Sequence, residues 1–162
     1  MSRRSNVVER TQPDAMGERV RSIVKDKGGK VWSVGPTISV YDAIALMAEK
    51  GVGALLVASD EELLGIISER DYARKVILQG RSSKETAVKE IMTSPVVTVT
   101  LEHTVGECMT IITTRRIRHL PVLESGRLVG MVSIGDCVNS IISAQAHTID
   151  QLNSYIAGNY PR

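Results

Sequence analysis

The strongest constraint on the fold is that the chain repeats itself. A shift of 65 residues lays 31–76 on 96–141 without a gap, and nine of the 46 pairs are identical: Val31/Val96, Val34/Val99, Val40/Val105, Leu55/Leu120, Val57/Val122, Leu63/Leu128, Gly65/Gly130, Ser68/Ser133 and Asp71/Asp136. Many of the other pairs keep apolar character, among them Ile44/Met109, Met47/Ile112, Ile66/Met131 and Ile67/Val132. Ungapped agreement of the apolar pattern points to duplication, so the chain has to fold as two similar units.

Each half reads alike. A short β-rich segment, Val31–Val34 or Val96–Val99, precedes a helix marked by Val40, Ala43, Ile44 and Met47, or by Val105, Cys108, Met109 and Ile112, at helical spacing. An apolar strand (Ala54–Val57, His119–Leu123), a turn (Ser59–Glu62, Glu124–Arg127) and a second strand (Leu63–Ile67, Leu128–Val132) follow. A helix from near Ser68 or Ser133 closes each half. The expected fold class is α+β: two β-α-β-β-α repeats related by pseudo-two-fold symmetry, their apolar strands covered by helices. The divisions are a loose tail over 1–15, a first repeat over 16–80, a second over 81–145, and a C-terminal helix and tail over 146–162. Within the second, a polar Gly80–Lys84 linker precedes a short helix with Val88, Ile91 and Met92. Ile149, Leu152 and Ile156 stripe the C-terminal helix, expected to end near Gly158.

Composition removes several classes. Twenty basic against eighteen acidic residues leave a net charge of +2, without the basic excess of a nucleic-acid binder. Aromatic residues are 3% with no Phe, too few for a platform that stacks bases. Two cysteines, Cys108 and Cys137, form neither a disulfide framework nor a four-cysteine zinc site and suit a reducing compartment. Apolar runs such as Gly53–Ala58 are strand-sized, far short of the roughly 20 residues that span a bilayer. Arg3 and Arg4 precede no apolar core, so no secretory signal is expected, and the location is cytoplasmic or an organellar matrix.

Few residues carry catalytic chemistry. Cys108 lies on an apolar helix stripe and reads as core. Cys137 follows Asp136 in a first helical turn, where a thiol pKa can fall, but also reads as a small core residue. No Ser-His-Asp set stands out, and neither GxxxxGK[ST] nor GxGxxG is present. The repeated Ser-x-x-Asp, Ser68–Asp71 and Ser133–Asp136, has two compatible readings. It is a capping box, in which serine and carboxylate satisfy orphan N–H groups of a helix start. It also presents a hydroxyl and a carboxylate to a cleft, where the carboxylate could accept both hydroxyls of a ribose. A basic run, Arg115-Arg116-Ile117-Arg118-His119, enters a strand of the second half. Alternation would put Arg118 and His119 on opposite sides. The equivalent pair in the first half is the uncharged Gly53–Ala54, so one of two related sites is better equipped for phosphate.

Together these residues resemble a tandem cystathionine-β-synthase (CBS) domain pair, or Bateman module. The resemblance rests on Gly65-Ile66-Ile67-Ser68-Glu69-Arg70-Asp71, Gly130-Met131-Val132-Ser133-Ile134-Gly135-Asp136 and Arg118-His119-Leu120-Pro121-Val122, and covers about residues 16–145. The run Gly65–Val76 is especially similar to stand-alone CBS pairs of bacteria and plant organelles. The resemblance implies a regulatory module rather than an enzyme, with no required cofactor. Its expected ligand is an adenine nucleotide (AMP, ADP, ATP or NAD, in some relatives S-adenosylmethionine) held in clefts between the repeats. It implies that Asp71 and Asp136 take ribose hydroxyls with Ser68 and Ser133 beside them. The early strands, through Val31, Ser33 and Thr98, would edge the adenine. Arg118, His119 and Arg70 would reach phosphate at the Asp71 site. A homodimer through helical faces is implied as well, with the stripe Ala43, Met47, Cys108 and Ile112 available to core or interface alike, and so is an unknown effector protein. Two other functions remain: an interaction module with empty clefts, and a small nucleotide hydrolase, for which no activated nucleophile is present.

Overall fold

The computed structural model describes residues 15–60 and 62–156. In chain order the elements are α1 (Val20–Asp26), β1 (Ser33–Val34), α2 (Val40–Lys50), β2 (Ala54–Ser59), β3 (Glu62–Ser68), α3 (Glu69–Tyr72), α4 (Val88–Ile91), β4 (Val99–Thr100), α5 (Val105–Arg115), β5 (His119–Glu124), β6 (Arg127–Ser133) and α6 (Ile134–Ile156). They build a mixed α+β molecule with two three-stranded sheets, ordered β1-β2-β3 and β4-β5-β6. In each sheet a two-residue parallel strand borders an antiparallel hairpin.

The duplication holds in detail. Both hairpins shift register at the same place, between Val57 and Ala58 and between Val122 and Leu123. Asp60 and Ser125 turn the hairpins with positive φ. Ser39 caps α2, and Thr104 caps α5 in a capping box with Glu107. Both helices stop on a left-handed residue, Gly51 in the first repeat and Arg116 in the second.

Each repeat has its own core, but neither is made from one stretch of chain. Val40, Ala43, Met47, Leu55, Val57, Ile67 and Val76 of the first repeat close over Val88 and Ile91 of α4. The second core, with Val99, Val105, Cys108, Ile112, Leu120, Val122, Val132 and Cys137, takes in Val20 and Ile23 of α1. The 65-residue shift that relates the repeats also carries Ile23 onto Val88, so each repeat's lead-in helix packs on the other repeat's sheet. Close approach is possible because the facing strand positions are glycines. A Cβ on Gly65 would stand 2.7 Å from Met92 Sδ and 2.9 Å from the Thr93 carbonyl, and one on Gly130 would stand 2.9 Å from Val24 Cγ2. Ala43, Met47, Cys108 and Ile112 are all core, with at most 3% exposure. Burial therefore takes that stripe away from any interface.

The closing helices diverge. After α3 the first repeat makes one π-helical turn, Ala73–Ile77, and the chain turns away at Gly80 with φ 64°. The second repeat meets no glycine or proline between Gly135 and Ile156. α6 accordingly runs 23 residues unbroken, so the helix expected to begin at 146 is the far half of α6; its expected end near Gly158 lies outside the described residues.

Candidate ligand-binding clefts

A cleft of about 380 Å³ opens between the two repeats. From the first repeat it takes Gly53, Ile66, Ser68, Glu69, Arg70, Asp71 and Arg74; from the second repeat and its lead-in, Thr93, Pro95, Val96, Val97, Arg116, Ile117, Arg118 and His119. Local structure explains the placement. Ser68 ends β3 and caps α3: its Oγ accepts from the Asp71 N–H at 3.1 Å, while Asp71 Oδ2 accepts from the Ser68 N–H at 3.0 Å. This is the reciprocal capping box expected from the sequence. Asp71 is nevertheless an unusual cap, only 8% exposed. Its other oxygen, Oδ1, accepts from Thr93 Oγ1 at 3.2 Å and pairs with Lys75 Nζ at 3.0 Å. The Thr93 segment is held by backbone bonds in both directions to Ile66, at 2.8 and 3.1 Å, which lays Pro95–Val97 along the cleft.

Four arginines, Arg70, Arg74, Arg116 and Arg118, line this cleft against two carboxylates, Glu69 and Asp71. One of them is held at a conformational cost. Arg116 caps α5 with φ 55° and ψ 41°, where the first repeat uses Gly51. The left-handed region costs a residue with a Cβ roughly 1–2 kcal/mol. His119 is half-buried at the start of β5. Burial pushes its imidazole below the ordinary histidine range, and the positive charges of Lys27, Arg118 and Arg70 push the same way against Asp136.

The related acid of the second repeat stands differently. Ser133 and Asp136 repeat the capping geometry, with bonds of 2.8 and 3.1 Å. Asp136 Oδ2, however, is engaged by Lys27 Nζ at 2.8 Å, and that ammonium also donates to the Met131 carbonyl. Burial pushes the Asp136 carboxyl up, but the Lys27 ammonium and the bonds from Ser133 outweigh it and hold it below the ordinary range. The cleft beside it is about 200 Å³ and is lined by Glu18, Ile23, Asp26, Lys27, Asp136, Asn139, Ser140 and Ser143. One lysine faces three carboxylates, the opposite balance to the first cleft.

The structure thus brings Ser68, Arg70, Asp71, Arg118 and His119 into one cleft and sets Ser133 and Asp136 beside another. Val31, Ser33 and Thr98 line neither. The parallel strands are only two residues long, and Pro95–Val97, just before Thr98, lines the first cleft. Arg118 and His119 reach the same cleft rather than opposite faces, because Arg118 precedes β5 and strand alternation does not govern it. Sequence reasoning passed over Arg74, Thr93, Arg116 and Lys27. Arg74 stood four residues from Arg70, one helical turn along the same face, and Arg116 lay within the basic run. Cys108 and Cys137 are fully buried. The hydrogen bond to Cys137 and burial push the Cys108 thiol up, away from nucleophilic use. Among the described residues no group of three metal-ligating side chains exists, and no helix is long and apolar enough to cross a membrane.

The CBS-domain family model matches this chain twice, over residues 20–77 and 88–143. The chain belongs to the CBS-domain family. As a CBS pair it is similar to the mitochondrial CBS domain-containing protein CBSX3 of Arabidopsis thaliana, with 42% identity over 94% of this chain and 81% of that protein. Among solved structures it is similar to a candidate signal-transduction protein with CBS domains from Burkholderia ambifaria: 52% identity, TM-score 0.75, covering 77% of this chain and 94% of that one. It also resembles the CBS-domain protein ATU1752 of Agrobacterium tumefaciens: 38% identity, TM-score 0.73, covering 75% and 98%. A CBS pair with these relatives is a regulatory or signal-transduction type of module, and both matches to the family model coincide with the two β-α-β-β-α units.

Proposed function

We propose that this CBS pair senses an adenine nucleotide in the cleft at Asp71 and passes the occupancy to a partner protein. One observation carries the reading: a buried carboxylate and four arginines line one cleft at the junction of the two repeats, Arg70 and Arg74 beside Asp71 in the first repeat and Arg116 and Arg118 in the second. Asp71 presents its carboxylate for ribose hydroxyls, which would take the place of the Thr93 Oγ1 and Lys75 Nζ contacts on Oδ1; Ser68 stands beside it, and Arg70, Arg118 and their neighbours supply the forked donors that suit phosphate. AMP, ADP, ATP and NAD all present this pairing of diol and phosphate. A ligand bound there touches both repeats and can bias their relative arrangement by as much as its affinities for two arrangements differ. The Asp136 cleft, lined by one lysine against three carboxylates, serves a phosphate ligand poorly. The protein acts without a cofactor and without turning over its ligand, pairs with a second copy through helical faces, and works in the cytoplasm or an organellar matrix.

The test is thermal unfolding of nucleotide-stripped protein against AMP, ADP, ATP, NAD, NADH, cyclic nucleotides and S-adenosylmethionine. A ligand at about 100 times its Kd adds roughly 2.7 kcal/mol, a shift of several degrees for a domain of this size. Asp71→Ala should abolish the shift. A wild type that responds to none of them, with no nucleotide co-purifying, would leave the clefts without a sensory role and favour a ligand-free docking module. ATP turnover that persists through purification and disappears in Asp71→Ala would instead make it an enzyme.

A further inference from the structure

The acid of the first cleft is joined to a helix outside that cleft. Lys75 Nζ stands 3.0 Å from Asp71 Oδ1 and donates to the Ile91 carbonyl at 2.9 Å. Ile91 is the last residue of α4 and is buried. Thr93, two residues further on, donates to the same Oδ1. Both groups on this oxygen therefore hold, or belong to, the lead-in segment of the second repeat. Lys75 rides on the π-helical turn Ala73–Ile77, a geometry that occurs mostly as single turns and often at functional sites. Its side chain does not line the cleft.

The second repeat has a tie of the same kind, built from other residues. Under the 65-residue shift Lys75 falls on Ser140, and Lys27 falls on Met92. Ser140 Oγ donates to Glu18 Oε2 at 2.7 Å, just ahead of α1, while Asp136 is held by Lys27 at the C-terminal end of α1. Each acid is thus joined by an ammonium to the lead-in helix docked on its own sheet. The two lysines are not equivalent, so descent from one duplicated unit does not account for the tie.

We infer that Lys75 is a hook between ligand and α4: a ribose diol on Asp71 displaces it, the C-terminal end of α4 loosens, and that loosening carries the occupancy of the cleft to the rest of the molecule. The inference rests on the reading of Asp71 as the ribose acid. Two hydroxyls donating to one carboxylate need the lone pairs that Lys75 and Thr93 take in the empty cleft. The Lys75 side chain is 45% exposed. Deprived of its carboxylate, such an ammonium is better solvated by water than by one carbonyl. α4 has no such alternative. Four residues do not hold a helix by themselves. With the hook gone, its C-terminal end depends on the packing of Ile91 and on the two backbone bonds between Thr93 and Ile66.

The experiment is residue-resolved amide hydrogen exchange on the full chain, with and without saturating AMP, ATP or NAD. It is read at Ile66, Met92 and Thr93, whose N–H groups bond to Thr93, Val88 and Ile66. Exchange there should be several-fold faster in the nucleotide-bound wild type. Lys75→Met should show the fast exchange with no nucleotide present and gain nothing further from one. It should also bind the nucleotide several-fold more tightly, since no ammonium competes for Asp71. A purely structural Lys75 would lower the stability of Lys75→Met yet leave the nucleotide's effect on the three amides in place, and that result overturns the hook. Bound nucleotide with unchanged or slower exchange at these amides overturns it as well, while the sensor reading stands; this wild-type arm decides by itself should Lys75→Met not fold. A wild type that binds none of the three nucleotides overturns both.

Discussion

Arg116 is the residue at which stability and binding pull apart. Its left-handed backbone is the conformation that Gly51 adopts freely at the equivalent position, and its guanidinium lines the Asp71 cleft. Arg116→Gly should therefore raise the melting temperature by a few degrees, about 1 kcal/mol of relieved strain, while shrinking the stabilisation that a phosphate-bearing nucleotide confers. A full nucleotide response in the variant would remove Arg116 from the site. Residues such as this one explain why the site was only partly legible. Ser68 and Asp71 could be found because a capping box is local, its two members three residues apart. Lys27, which engages Asp136 across 109 residues of sequence, has no local signature, and neither has Thr93. The burial that lowers the His119 pKa comes from packing between repeats that no window of sequence contains.

At the scale of elements, the hairpins and α2 and α5 were legible because their apolar periodicity is written twice. Of the lead-in helices, four-residue α4 was legible from Val88, Ile91 and Met92, whereas seven-residue α1 has too few apolar positions to declare itself. Their docking rests on Gly65 and Gly130. Gly65→Ala should cost about 1–3 kcal/mol by overpacking. The Cβ meets a carbonyl, Thr93 O, that is fixed by its bond from the Ile66 N–H. Gly130→Ala should cost less, since its clash is with the Val24 side chain, which can move with α1. Urea titration of the two variants measures the difference. Because Thr93 also touches Asp71, only the Gly65 variant should weaken nucleotide binding as well. The unbroken run of α6 beyond 145 was hidden for a different reason: the first repeat ends its helix at Gly80, and a reading built on repetition ends the second helix at the same place.

For the whole molecule, the exchange of α1 and α4 ties the halves into one cooperative body. Fragments cut at 80/81 each carry a piece of the other's core: Val20 and Ile23 in one, Val88 and Ile91 in the other. Produced together they should co-purify as a stable pair, and produced singly each should unfold at lower temperature than the pair, as circular dichroism would register. His119 sits where this exchange brings the two clefts into one electrostatic neighbourhood. Arg70 and Arg118 act on it from the Asp71 side, and Lys27 and Asp136 from the other. On the proposed reading, a phosphate in the first cleft would oppose the push of those arginines and bring the proton affinity of the ring back toward the ordinary histidine range.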